Sequence, residues 1–287
     1  MHNEQERFSL DPEKAIADFR DYLYERENAK ATISKYMTDI RTFYKYLNGN
    51  YNIDKKCILA YKEWLFPKYE ATSINSMLVA LNQFLDYLGL GRWKVKRLKV
   101  QKQLFIPEEK EMTKQEYNRL LNAARGTNKH QLAMSIETLA ATGARVSELV
   151  FFTVERVKKG TIGISNKGKH RTILISDALK KKLLYYAAKN GVNTGCIFVT
   201  KNGRPKDRSN LWREMKALQK ICNVAPEKIF PHNLRHLFAR SYYKLTNDIA
   251  GLADLLGHSS MDVTRIYTAN TEENYRKQIQ RLGLVVG

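Results

Sequence analysis

Apolar side chains recur at the spacing of α-helices through the N-terminal third of the chain. Asp11 and Pro12 form an N-cap followed by a proline at the first helical position. Ala15, Phe19 and Leu23 then fall on one face. The pattern predicts an amphipathic helix that begins at residue 12.

Two further segments share one amphipathic pattern. The apolar positions of the first are Ile33, Met37, Ile40, Phe43 and Leu47. Those of the second, each 41 residues later, are Ile74, Leu78, Leu81, Phe84 and Leu88. Steps of three and four predict two helices with similar buried faces. We interpret the match as a common packing pattern rather than as a duplication.

The second half of the chain mixes two periods. Helices are predicted at 113–124 and 130–142, and Gly143 is placed to end the second of them. The segments TIGIS (161–165) and RTILIS (171–176) read as two strands joined in a hairpin. Further helices are predicted at 177–189, 208–222, 233–244, 248–256, 260–267 and 271–281.

These elements predict a mainly α protein with two domains. The N-terminal domain is all-helical, and the second is mixed, mostly helical, with a small antiparallel β-sheet. Between them, residues 92–110 hold seven Lys or Arg, two Glu and one Pro without an apolar period. We expect the first domain at 1–95, a basic linker at 96–110 and the second domain at 111–287.

The charge balance indicates a polyanionic partner. Lys and Arg number 49 against 29 Asp and Glu, which gives a net charge of +20 and a pI near 9.7. A chain with 43% hydrophobic residues does not need this excess for solubility. Nucleic acid is the expected partner, and a merely basic protein without such a partner is the alternative.

This charge gives two segments a candidate role in DNA binding. The linker residues suited to phosphates are Lys96, Arg97 and Lys99. The polar side chains suited to base edges, on the helix predicted over 71–88, are Asn75, Ser76, Asn82 and Gln83. An ordinary solvated helix surface has the same composition, so periodicity leaves both interpretations of this face open.

The remaining composition excludes several classes of protein. Three cysteines, Cys57, Cys196 and Cys222, are odd in number and show neither a disulfide framework nor a zinc-binding spacing. The N-terminus lacks the pattern of a signal peptide, and no run of about 18 apolar residues is present. We expect a soluble, cytoplasmic protein without a membrane segment.

Cutting a phosphodiester bond without a metal ion makes specific demands on side chains. Planar cations must bind the two non-bridging oxygens, where negative charge accumulates in the transition state. A nucleophile must attack in line, and an acid must protonate the departing 5′ oxygen. Tyrosine, with a free pKa of about 10, serves as the nucleophile only where cations stabilise its phenolate.

Short motifs supply this set of groups in order. They are TGARVSEL (142–149), the hairpin NKGKHR (166–171), PHNLRH (231–236), LLGHSS (255–260) and RIYT (265–268). The candidate residues within them are Arg145, Lys167, His232, Arg235, His258 and Tyr267. Each residue alone has an ordinary structural interpretation, whereas their joint occurrence favours catalysis.

In this order and spacing the motifs resemble the tyrosine recombinases of the phage integrase family, and the resemblance covers nearly the whole chain. It implies a SAM-like, four-helix core-binding domain followed by a catalytic domain from about residue 111. The simplest comparison is with two-domain members, either Xer-type enzymes or the integrases of small mobile elements.

The resemblance implies a role for each residue. Arg145 and Arg235 would bind the scissile phosphate, and Lys167 would protonate the 5′ oxygen. His232 and His258 would donate to the phosphate and assist proton transfer. Tyr267 would form a 3′-phosphotyrosyl bond.

Two supporting residues and one departure from the family pattern complete the comparison. Glu148 and His236 would orient the arginines and the helix that carries them. The hairpin is one residue shorter than the family's usual GKGxKxR, so that Lys167 rather than Lys169 is the assigned acid.

The predicted function is site-specific DNA recombination without a metal ion or other cofactor. Paired recombination sites, a homotetramer on DNA and an accessory directionality protein are the implied partners. A type IB topoisomerase and a non-cutting DNA-binding regulator are the alternatives. The chain lacks the carboxylate cluster of metal-dependent nucleases and the GxxxxGK[ST] loop of ATP-driven enzymes.

Overall fold

A computed structural model describes residues 7–99, 111–166, 169–200, 202–257, 264, 276–277 and 280–282. The chain forms two compact units, 1–102 and 103–287. The prediction of a mainly helical fold with small antiparallel sheets is confirmed. No helix among the described residues is long and apolar enough to cross a membrane.

Four α-helices, one short 3₁₀ helix (Gly91–Trp93) and one short strand pair are described in the N-terminal unit. The helices are α1 (Pro12–Glu25), α2 (Lys30–Leu47), α3 (Lys55–Leu65) and α4 (Ala71–Tyr87). Strands β1 (Phe8–Ser9) and β2 (Asn52–Ile53) pair antiparallel. The predicted cap is present, since the Asp11 side chain accepts a hydrogen bond from the Lys14 N–H at 3.1 Å.

The apolar faces of these helices meet in one core. Phe19, Phe43 and Phe84 are completely buried. The rings of Phe19 and Phe84 meet edge to face with centroids 5.1 Å apart, a favourable arrangement for an aromatic pair. The positions shared by the two similar helices therefore pack together, because α2 and α4 lie side by side.

The basic segment at residues 94–99 is bound to the N-terminal unit. Val95 is buried in its core, and the Asn82 amide pairs with Val95 in both directions, accepting from its N–H and donating to its carbonyl, each at 2.9 Å. Asn75 pairs with the backbone of Leu98 in the same way, at 2.7 and 3.0 Å. Lys62 donates to the carbonyl of Lys96 at 2.8 Å.

These contacts alter two expectations. Lys96 and Leu98, predicted as part of a linker, are hydrogen-bonded through their backbones to α3 and α4, and residues 100–110 lie outside the described residues. Asn75 and Asn82, predicted to face base edges, use an oxygen and a nitrogen each to hold this backbone. Helical periodicity places an amide on the polar face, but it does not reveal a backbone that crosses that face later in the chain.

Eight helices and a hairpin are described in the second unit. The helices are α5 (Lys114–Gly126), α6 (His130–Thr142), α7 (Val154–Lys159), α8 (Asp177–Lys189), α9 (Arg208–Lys216), α10 (Gln219–Cys222), α11 (Pro231–Thr246) and α12 (Ile249–Leu256). Short 3₁₀ helices at Val146–Phe151 and Pro226–Lys228 connect them.

The hairpin consists of β3 (Thr161–Asn166) and β4 (Lys169–Leu174), which pair antiparallel up to Asn166 opposite Lys169. The strands therefore extend further toward the turn than predicted, because residues 166–170 were all predicted to belong to the connection. The helix predicted over 208–222 is divided into α9 and α10. The helices predicted at 260–267 and 271–281 fall almost wholly outside the described residues.

Helix α6 organises the second unit. It packs against α5 on one side and α11 on another, and its Ile136 and Leu139 are completely buried. Helix α12 packs on α11, where Leu252 and Leu256 surround Ala239. The end of α6, the first turns of α11 and the end of α12 consequently lie close together beside β4.

We predict that Asn82→Asp destabilises the N-terminal unit by about 1–3 kcal/mol, because a carboxylate oxygen would face the Val95 carbonyl in place of a donor. Urea denaturation followed by tryptophan fluorescence measures this, since Trp64 and Trp93 belong to this unit.

Gln83→Glu is the matched control, because it adds the same charge one residue further along α4 and Gln83 hydrogen-bonds to none of the described residues. Equal destabilisation by the two variants would show that the Asn82 amide does not hold residue 95.

Candidate active site

The loop after α6 presents Arg145. Gly143 ends α6 in the left-handed conformation, with φ of 62°, and a Cβ there would lie 2.5 Å from a ring carbon of Phe238. Two residues later, the backbone N–H of Arg145 donates to Glu148 at 2.7 Å and its guanidinium donates to the same carboxylate at 3.0 Å. Glu148 is only 6% exposed, so that it fixes both the backbone and the side chain of Arg145.

Arg235 lies in the first turns of α11 and is only 2% exposed. Its Nη1 donates to the Gly143 carbonyl at 2.6 Å, and its Nη2 donates to the Leu256 carbonyl at 2.7 Å. A buried guanidinium requires such partners, because an unpaired charge in the interior is costly. Arg235 therefore joins the end of α6 to the end of α12.

A third arginine, Arg171 on β4, enters the same cluster. Its Nη1 donates to the Leu256 carbonyl at 2.6 Å, and its Nη2 lies 3.5 Å from the Gly143 carbonyl. Its Nη1 also lies 3.6 Å from Glu148. Burial lowers the pKa of Arg171 to about 10, with Glu148 opposing this effect and Arg235 adding to it. At neutral pH the group remains positively charged.

The motifs did not single out Arg171. The available signal was its position as the last residue of the hairpin segment NKGKHR, in the place of the arginine in the family pattern GKGxKxR. Sequence alone gives no indication that this residue turns inward toward two carbonyl groups, because a basic residue on a hairpin is more often exposed.

Arg145, Arg235 and His232 line one open pocket of about 650 Å³ in the second unit. Arg208, Ser209 and Trp212 from α9 also line this pocket.

Arg145, Arg208 and Arg235 line this pocket, and Arg171 lies beside it on the same backbone carbonyls as Arg235. The Glu148 carboxylate contacts two of these guanidinium groups, those of Arg145 and Arg171. The local charge is therefore positive before any ligand binds. A phosphodiester group, which carries one negative charge and planar pairs of oxygens, is suited to such a cluster.

Two histidines lie one turn apart on α11. His232 is exposed to the pocket, and His236 is half-buried behind it, with ring centroids 4.5 Å apart in an edge-to-face arrangement. Burial and the charges of Arg235 and Arg145 lower the pKa of His232. Burial, with His232 and Arg235 nearby, lowers the pKa of His236 to about 4. Both rings are consequently neutral at neutral pH.

The structure brings five of the predicted residues together around this pocket. They are Arg145, Glu148, His232, Arg235 and His236. The other three, Lys167, His258 and Tyr267, lie outside the described residues. Their described neighbours are the facing ends of β3 and β4 for Lys167, and the end of α12 for His258.

The predicted DNA-binding residues belong to the N-terminal unit. Gln83, Lys96, Arg97 and Lys99 line an open groove of about 950 Å³ between α4 and the segment 94–99. Ser76 lies on the same helix and is partly exposed. Asn75 and Asn82 contribute to this groove while holding the segment in place.

Comparison with known proteins identifies two matching family profiles. The profile described as "Phage integrase family" matches residues 110–274, which is more than half of the chain. The profile described as "Phage integrase, N-terminal SAM-like domain" matches residues 16–90. The two matches fall in the two compact units.

Individual relatives extend the similarity to almost the full length. The chain is 28% identical to the tyrosine recombinase XerA of Pyrococcus furiosus over 282 residues, which covers 95% of both proteins. It is 30% identical to the tyrosine recombinase XerD of Halalkalibacterium halodurans over 276 residues, which covers 88% of this chain and 91% of that protein.

Among solved structures, a lambda integrase tetramer bound to a Holliday junction has the same fold. The TM-score is 0.70 with 21% identity, and the match covers 90% of this chain and 77% of that chain. This likeness shows the fold, whereas the profile over residues 110–274 and the 30% identical relative show the family. The chain belongs to the phage integrase family and is a tyrosine recombinase, an enzyme that cuts and rejoins DNA.

Proposed function

We propose that this recombinase exchanges strands between paired sites in double-stranded DNA through a 3′-phosphotyrosyl intermediate on Tyr267. The observation that carries the proposal is the arginine cluster. Arg145 and Arg235 face one pocket, and both are held by groups that leave the pocket positively charged. A neutral or acidic pocket would not support such a reaction.

Arg145 and Arg235 bind the scissile phosphate in this proposal. The diester carries one negative charge, and the transition state accumulates more on its two non-bridging oxygens. Donors that are fixed before the reaction stabilise that charge without reorganisation during the step. The carbonyl contacts of Arg235 and the carboxylate contacts of Arg145 support this role, because they fix both side chains.

The chemical step exchanges one phosphodiester bond for another. The phenolic oxygen of Tyr267 attacks phosphorus, the bond to the 5′ oxygen breaks, and Lys167 gives a proton to that oxygen. The phenolic proton passes to a base in the pocket. In the second half, a 5′ hydroxyl attacks the phosphotyrosine and releases Tyr267, so the bond energy is conserved.

The histidines assist as neutral groups. His232 is exposed to the pocket, and its lowered pKa supports a role as a donor of one ring N–H to the phosphate. His236 stands behind His232 and supports its orientation through their edge-to-face contact. We propose that His258 provides a second donor to the phosphate.

The groove of the N-terminal unit binds the DNA backbone. Lys96, Arg97 and Lys99 contact phosphates, and Ser76 and Gln83 are the candidates to contact bases. For Asn75 and Asn82 we propose that holding the basic segment comes first, since their amides are paired with its backbone.

The assembly proposed on DNA is a homotetramer. The lambda integrase tetramer bound to a Holliday junction, which has the same fold, supports this proposal. The N-terminal unit serves as the core-binding domain, and residues from about 111 onward form the catalytic domain, with residues 271–287 contacting a neighbouring subunit. Action in the cytoplasm, with an accessory directionality protein, belongs to the same proposal.

We predict that Tyr267→Phe abolishes the covalent adduct while leaving DNA affinity within about twofold, because only the nucleophilic oxygen is removed. Incubation with a nicked suicide site should give a denaturant-stable protein–DNA band with the wild-type protein and none with the variant. Tyr243→Phe, a half-buried tyrosine of α11, is the control and should retain the band. A band from the Tyr267→Phe protein would assign the nucleophile elsewhere.

Lys167 is tested with a substrate that carries sulfur in place of the 5′ bridging oxygen. A thiolate leaves without a proton, so that loss of the general acid no longer matters. We predict that Lys167→Ala cleaves the ordinary substrate at least about a hundredfold more slowly and the sulfur substrate at nearly the wild-type rate. If Lys169→Ala shows this rescue and Lys167→Ala does not, the acid is Lys169.

The basic segment is tested by its dependence on salt. Replacing Lys96, Arg97 and Lys99 by Ala should weaken binding to specific and random DNA alike. The slope of log affinity against log salt should become shallower by about one unit for each phosphate that the variant no longer neutralises.

The control replaces three exposed basic residues of the same unit that do not line the groove, Lys14, Lys45 and Lys56. Equal slopes for the two triple variants would show that residues 96–99 do not contact phosphates.

A further inference from the structure

Two backbone carbonyls in the second unit each lie against two arginines. The Leu256 carbonyl accepts from Arg235 at 2.7 Å and from Arg171 at 2.6 Å. The Gly143 carbonyl accepts from Arg235 at 2.6 Å, and Arg171 lies 3.5 Å away. We propose that Arg171 is a positioning residue for the reaction, which holds Arg145 and Arg235 in the geometry that binds the scissile phosphate.

The two carbonyls that Arg171 contacts lie close in sequence to candidate catalytic residues. Gly143 stands two residues before Arg145, and Leu256 stands two residues before His258. A carbonyl oxygen has two lone pairs, so it can accept from both guanidinium groups at once. Arg171 therefore fixes the backbone just before two candidate catalytic residues, and it also fixes the acceptors that orient Arg235.

Arg171 also acts on Arg145 through Glu148. The carboxylate holds Arg145 at 3.0 Å and lies 3.6 Å from Arg171. A buried carboxylate with a single cationic partner binds that partner strongly. Because Arg171 shares the carboxylate, Glu148 orients Arg145 without neutralising it, and the charge of Arg145 remains available to a phosphate.

Close packing of Gly257 against Arg171 supports a fixed position for the Arg171 side chain. Gly257 adopts φ of 61°, and a Cβ there would lie 2.6 Å from Cδ of Arg171. The side chain is thus covered by the backbone that leads to His258.

Among the described residues, the Arg171 Nε–H is buried without a hydrogen-bond partner. Such an orphan group opposes stability. This arrangement is explained more readily by a role in the site than by a contribution to folding.

The test compares two substrates in single-turnover cleavage. One carries the ordinary scissile phosphate, and the other carries a methylphosphonate, in which a methyl group replaces one charged oxygen. Cleavage of the neutral substrate depends less on the arginines. A variant that misplaces the arginines should therefore slow cleavage of the methylphosphonate less than cleavage of the ordinary phosphate, whereas a general structural defect slows both equally.

We expect Arg171→Lys to slow formation of the covalent adduct on the ordinary phosphate by about 10- to 100-fold. On the methylphosphonate the decrease should fall below about threefold, with DNA affinity unchanged within about twofold. Lysine keeps the charge but lacks the two-pronged donor. The decrease in rate therefore reports geometry rather than charge.

Arg240→Lys is the matched control. Arg240 lies on α11 and, like Arg171, contacts both a backbone carbonyl and a carboxylate. These are the carbonyl of Met112, at 2.9 Å, and the carboxylate of Glu111, and Arg240 does not line the pocket. This variant should change the rates on the two substrates by the same factor. Equal factors for Arg171→Lys as well would overturn the proposal.

Two further variants keep the outcome interpretable. If Arg171→Lys does not fold, Arg171→Gln removes the buried charge while keeping a donor for the Leu256 carbonyl, and the same comparison applies. The inference rests on the proposed role of the arginines, which Arg145→Lys tests directly. No difference between substrates for Arg145→Lys refutes that role, whereas a difference for Arg145→Lys alone refutes only the role of Arg171.

Discussion

The contact on which the rest of this enzyme depends is that of one buried guanidinium with two backbone carbonyls. Arg235 is almost completely enclosed, and its terminal nitrogens donate to Gly143 and Leu256. Burial of a charge is tolerated only where hydrogen bonds replace those made to water. The ends of α6 and α12 must therefore lie where Arg235 can reach both, which fixes the site before DNA binds.

The electrostatics of the pocket follow from this arrangement. Arg171 adds a second buried cation, and Glu148 is the carboxylate that offsets part of the charge while orienting Arg145. Burial, with the charge of Arg235 nearby, lowers the pKa of both His232 and His236. A pocket with this charge is suited to a phosphate group, because fixed cationic donors stabilise its negative charge.

The sequence predicted the helical fold from its periodicity, and motifs that resemble those of the family named five residues that lie around the pocket. Amphipathic spacing gave the helices, and Gly143 ended α6 as expected from its freedom at positive φ. The roles of Asn82 and Arg171 were not predictable in this way, since their partners lie 13 and 85 residues away in the chain. A side chain that binds a distant backbone leaves no periodic signal.

The most direct test of this account is a crystal structure of the protein bound to a DNA duplex with its scissile phosphate in place. The account predicts that Arg145 and Arg235 contact the non-bridging oxygens while Arg235 keeps both carbonyl hydrogen bonds, each within about 3.2 Å. A guanidinium of Arg235 that leaves Gly143 and Leu256 to reach the phosphate, or a phosphate bound away from this pocket, would contradict it.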